Sequence, residues 1–123
     1  MPETQAAILD RTFHALADPT RRAMLRRLAG GEQSIGELAA PFTMSFAAAS
    51  KHVKVLESAR LVRRRVEGRS HICHLEAAPL AAADDWLRFY ERFWNQQLDA
   101  LEAVLRAEHA PRSTGVPKKG ARK

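Results

Sequence analysis

The sequence predicts a mainly α-helical domain that carries one small β-hairpin, and three observations lead there. Apolar residues recur at three- and four-residue steps through the first half of the chain, and the period then changes to two between residues 62 and 75. A seven-residue apolar repeat follows, to about residue 107. With 46% hydrophobic residues, the 123 positions supply one core and are few for two.

The first helix runs from about Thr4 to Ala17, where Ile8, Leu9, Thr12, Phe13 and Leu16 form one apolar stripe. Asp18 suits the N-cap of a second helix and Pro19 its first position, where a missing N–H costs nothing. Ala23, Met24 and Leu28 give that helix its buried side, and Gly30-Gly31 stops it. Its arginines, Arg21, Arg22, Arg26 and Arg27, read as a solvated face. Ser34 caps a short third helix through Glu37, Leu38 and Ala39, which Pro41 closes from within its last turn.

Thr43-Met44 forms a tight link to Ser45, the expected cap of a fourth helix from Phe46 to about Ser58. Ala49, Val53 and Leu56 fall on its core side, whereas Ala47, Ser50, Lys51, Lys54 and Ser58 lie opposite. Next comes the hairpin, with Val62, Val66 and Ile72 inward, Arg63, Arg65 and Arg69 outward, and Glu67-Gly68 at the turn. From Pro79 to Ala107, Leu80, Leu87, Trp94 and Leu101 repeat every seven residues beside Ala83, Tyr90 and Val104. That seam is longer than a small domain covers alone.

A short helix, a tight link and a second helix with a polar outer side describe a helix-turn-helix, and a basic hairpin directly after it describes a wing. The expected partner is double-stranded DNA. A helix about 10–12 Å across fits a major groove of similar width, and small side chains near its N-terminus allow close approach to base edges. Ser45, Ala47, Ala48 and Ser50 are that small, Lys51, His52 and Lys54 can reach phosphates or bases, and Arg63, Arg65 and Arg69 can track the backbone.

Charge distribution agrees. The net +6 divides into 0 over residues 1–42, +5 over 43–75, −4 over 76–110 and +5 over 111–123. The domain is expected to span residues 1–110, with 111–123, PRSTGVPKKGARK, a disordered basic tail that adds non-specific DNA affinity.

The stretch from Phe13 to Leu75, and more loosely to about Leu105, resembles the ArsR-type (arsenic-repressor-like) bacterial transcriptional regulators, particularly the subgroup that does not sense metals. LADPTRR at the start of the second helix and SKHVKVLE in the fourth carry the resemblance together. It implies a homodimeric winged-helix repressor on an operator of two inverted half-sites, paired through its first and last helices. Ser50, Lys51 and His52 then fall at the recognition-helix signature. The interface would draw on Ile8, Leu9, Phe13, Leu87, Tyr90, Trp94, Leu98 and Leu101. Two departures stand out. The stretch SIGELAAPF lacks the paired cysteines of metal-sensing relatives, and Arg60 occupies a position where the family usually has Gly. If that residue is left-handed, a side chain there costs roughly 1 kcal/mol.

Other readings are weaker. Strand alternation puts His71 and Cys73 on one side and His74 on the other, so neither a metal site nor a cofactor is expected, and one cysteine cannot form an intramolecular disulfide. No phosphate loop or nucleophile motif points to an enzyme, and His14, His52 and His109 lie on helices far apart in sequence. With neither a secretory leader pattern nor 18 uninterrupted apolar residues, the chain reads as cytoplasmic and free of the membrane. Five of its eight aromatics, Trp86 to Trp94, suit a dimer core, and those facing away from the seam, Phe89 first, are the candidate surface for an unidentified small-molecule effector. The alternative function is a winged-helix protein-interaction module that binds an acidic partner.

Overall fold

A computed structural model describes residues 4–108. In chain order the elements are α1 (Gln5–Leu16), α2 (Pro19–Ala29), β1 (Gln33–Ser34), α3 (Ile35–Ala39), α4 (Phe46–Ser58), β2 (Val62–Glu67), β3 (Ser70–Leu75) and α5 (Ala78–Glu108). The fold is the expected one, mainly helical with a wing. Two compact units divide between Asp84 and Asp85, so α5 starts in the first and supplies the described part of the second. The expected tail, residues 111–123, lies outside the described residues, as does His109.

Every helix of the first three-helix run begins on a side-chain cap. Thr4 accepts from the Ala7 amide and Asp18 from the Arg21 amide, each at 3.0 Å. Ser34 and Glu37 form a reciprocal capping box, 3.1 Å to the Glu37 amide and 2.8 Å back to the Ser34 amide. Helix α3 ends at Ala39 with Ala40 as its cap, so Pro41 follows the helix instead of closing it from inside.

The core lies in the first unit. Met24, Ile35, Leu38, Val53, Leu56 and Leu61 are its largest fully buried apolar side chains besides Cys73. Leu25 joins Met24 and Leu28 on the buried side of α2, while Ala23 is only partly buried. Thr12 is fully buried within the stripe of α1, where its hydroxyl donates to the Ile8 carbonyl at 2.7 Å and so enters the core satisfied.

The hairpin is longer than the core beneath it. Val62 is buried, but Val66 at the outer end is 61% exposed, which corrects its inward placement: the buried side of the strand ends before the tip. The turn is Gly68-Arg69, not Glu67-Gly68, because Glu67 pairs with Ser70. Gly68 takes φ +60 at the first of two loop positions, a conformation that glycine adopts without a Cβ penalty. A third strand, absent from the sequence reading, adds β1 to β3 in the order β1-β3-β2, all antiparallel. Two residues are too few to show a period.

Candidate nucleic-acid interface

Helix α4 projects its outer side from a fixed frame. The Ser45 hydroxyl accepts from the Ala48 amide at 3.0 Å, so the helix starts where the link ends. Ala49, Val53 and Leu56 anchor the opposite side with no exposure. At the far end Arg60 has φ +63, the Arg60 amide donates to the Glu57 carbonyl at 2.9 Å, and the Leu61 amide donates to the Leu56 carbonyl at 3.0 Å. Those two bonds complete a Schellman closure, and buried Leu61 is its apolar contact. A left-handed arginine therefore stands where glycine is the usual choice.

The outer side of α4 is small and basic, as the sequence reading expects. Ser45, Ala47, Lys51 and Lys54 are exposed, and Ala48, Ser50 and His52 are partly buried. Neither Lys51 nor Lys54 has an ion-pair partner among the described residues. His52 departs from this group. Its Nδ1 turns inward, 3.3 Å from Arg21 Nη1 and 3.9 Å from the Asp18 carboxylate.

Arg21 and Arg22 are correspondingly not a freely solvated face. Arg21 donates from Nε to the Ala15 carbonyl at 2.8 Å and from Nη2 to that of His14 at 3.1 Å, and Arg22 reaches the Leu16 carbonyl at 2.7 Å. Together they satisfy the Ala15 and Leu16 carbonyls that the end of α1 would otherwise leave open, and the His14 carbonyl accepts from the Ala17 amide as well. The Arg21 amide also holds the Asp18 carboxyl below its ordinary range.

The wing is less bare than its composition suggests. Arg64 shares the inward parity of Val62, and its guanidinium grips Glu57 of α4 at 2.6 and 3.1 Å, which raises its own pKa. Arg65 is bracketed by Glu32 and Glu67, each at 2.8 Å, and the bond from Arg65 keeps the Glu32 carboxyl low. Arg63 lies 3.6 Å from Glu76, which is also 3.1 Å from His74 Nε2. Only Arg69, exposed at the tip, has no counter-charge among the three outward arginines within the described residues. The parity of Arg64 was a signal in the sequence; the distant carboxylate Glu32 gave none.

His71 and Cys73 do not form a metal centre with His74, and no group of three or more His, Cys, Asp or Glu residues fit to hold an ion occurs among the described residues. His71 Nδ1 instead faces Arg64 Nη1 at 3.2 Å, and burial pushes the Cys73 thiol up.

Two apolar stripes remain outward. On α1, Ile8 and Leu9 are partly buried and Phe13 is exposed. On α5, Leu87, Tyr90, Trp94, Leu98 and Leu101 are between 37% and 54% exposed, more than a core would leave open. Behind that seam Arg92 lies over the rings of Phe89 and Phe93, 5.8 and 5.0 Å from their centres. No described helix is long and apolar enough to cross a membrane.

Known proteins share this arrangement. A helix-turn-helix domain family matches residues 16–65. The HTH-type transcriptional regulator Rv2034 of Mycobacterium tuberculosis is 41% identical over 99 residues, covering 80% of this chain and 90% of the relative. The transcriptional repressor SdpR of Bacillus subtilis is 29% identical over 79 residues, covering 64% of this chain and 88% of the relative. Among solved structures, the ArsR family transcriptional regulator RHA00566 superimposes with a TM-score of 0.69 at 38% identity, covering 76% of this chain and 96% of that one.

Proposed function

Because the chain belongs to the ArsR family of winged helix-turn-helix, DNA-binding transcriptional regulators, we propose that it acts as a homodimeric repressor on an operator of two inverted half-sites. The observation that carries the reading is the outer side of α4, a capped helix with small side chains at its start and two lysines, Lys51 and Lys54, that no carboxylate answers within the described residues. Ser45, Ala47, Ala48 and Ser50 let the helix approach the groove floor, Lys51, His52 and Lys54 contact bases or phosphates, and Arg63, Arg65 and Arg69 hold the flanking backbone.

Dimerisation supplies the symmetry. The stripes on α1 (Ile8, Leu9, Phe13) and α5 (Leu87, Tyr90, Trp94, Leu98, Leu101) bury their apolar surface against a second copy, and the α5 stripe from Leu87 to Leu101 gives a seam about 21 Å long. A dimer presents two reading helices about 34 Å apart on one DNA face. Lys51→Ala tests the assignment: gel-shift affinity falls while the sedimentation coefficient stays that of the dimer. Unchanged affinity, or a wild-type protein that sediments as a monomer, overturns it.

A further inference from the structure

Resting on the DNA-reading role of α4, we infer that Arg21 is a positioning residue that holds His52 in the tautomer protonated on Nε2, so that the reading helix offers one fixed N–H donor to an acceptor on DNA. The guanidinium at 3.3 Å from His52 Nδ1 has only donors and does not lose its proton, so Nδ1 must be the acceptor of that contact. A neutral imidazole carries one N–H, which then sits on Nε2. The competing arrangement, Nδ1–H donating to Asp18, spans 3.9 Å, beyond hydrogen-bond reach.

The donor itself is held in place. Arg21 is tied by Nε and Nη2 to two carbonyls at the end of α1, so its third nitrogen is aimed before any DNA arrives. His52 Nε2 has no partner among the described residues, and the side chain retains 24% exposure. An Nε2–H in a major groove pairs with guanine O6 or N7, adenine N7, thymine O4 or a phosphate oxygen, and it meets the amino groups of cytosine and adenine as a repulsive donor. A ring free to take either tautomer would offer an acceptor for part of the time and lose that discrimination.

The full-length protein, labelled with ¹⁵N at histidine, allows a direct test by long-range ¹H–¹⁵N correlation at about pH 8, above the ordinary imidazole range. The wild type shows His52 as the Nε2–H form, and Arg21→Met, which keeps the stem and removes the donors, shows a mixture. On a DNA sequence selected by the wild type, His52→Gln keeps a donor near the Nε2 position and binds within about twofold, whereas His52→Asn and Arg21→Met lose about fivefold, the worth of one hydrogen bond. Loss on 7-deazapurine DNA identifies a base as the acceptor, and loss on phosphate ethylation identifies the backbone. An Nδ1–H wild type, or an unchanged tautomer in folded Arg21→Met, overturns the positioning role. Should Arg21→Met not fold, the wild-type tautomer and the Gln-against-Asn contrast decide alone. Equal binding by His52→Gln and His52→Asn overturns the DNA half of the inference, and if Lys51→Ala also binds normally, the reading role of α4 fails with it.

Discussion

Arg64, on the wing, closes Nε and Nη2 onto the carboxylate of Glu57, in the last turn of α4, at 3.1 and 2.6 Å. The pair is mostly buried, with side-chain exposures of 17% and 32%, so solvent screens it less than an ordinary surface pair. It ties β2 to α4. Arg64→Met is expected to lower stability by about 2 kcal/mol, the range for charge-assisted bonds, because Glu57 then loses its partner. A urea midpoint equal to that of the wild type would count against this linkage.

The left-handed Arg60 gives a prediction of the opposite sign. A side chain in that conformation costs about 1 kcal/mol, and the greater freedom of an unfolded glycine returns roughly half of it. Arg60→Gly is therefore expected to stabilise by about 0.5 kcal/mol on balance, and Arg60→Ala to change stability little. Thermal melts distinguish the two, and a lower Tm for Arg60→Gly would show that the arginine side chain itself stabilises the closure.

Arg65 must leave two carboxylates to meet a phosphate. Replacing both, Glu32→Gln with Glu67→Gln, is expected to raise DNA affinity at low salt and steepen the log–log salt slope of the dimer by about 2, the signature of one more neutralised phosphate per protomer. Titration at several salt concentrations checks it. A slope no steeper than that of the wild type would place Arg65 away from the backbone.

Asp18 sets an acid limit. Its carboxyl is held low first by the Arg21 amide, so its capping contribution is complete at neutral pH and is lost as pH falls through the depressed value. Asp18→Asn keeps a capping oxygen that does not titrate, and its stability should fall less between pH 6 and about pH 3 than that of the wild type. Parallel acid titrations followed by circular dichroism would refute this by superimposing.

What the sequence revealed of this fold was local. Asp18-Pro19, Ser34 with Glu37, and Ser45 announce helix starts because cap and amide lie three residues apart, and Arg60 was legible as a conformational problem through the resemblance, which puts Gly at that position. The opposite holds for Arg65 with Glu32, 33 residues apart, and Arg21 with His52, 31 apart, which meet only after the chain has packed. Val66 misled because alternation marks a strand's two sides and not where its core ends. The candidate reading side of α4 could thus be named residue by residue, but the carboxylates answering its wing could not.

Selection of bound sequences from a random double-stranded DNA library by the purified full-length protein tests the central claim most directly. The expected result is one enriched motif with two-fold symmetry and half-sites centred about 34 Å, one helical turn, apart, and its recovery should fall with Lys51→Ala. No enrichment, or a single asymmetric site bound equally well by Lys51→Ala, would contradict a symmetric dimer reading DNA through α4.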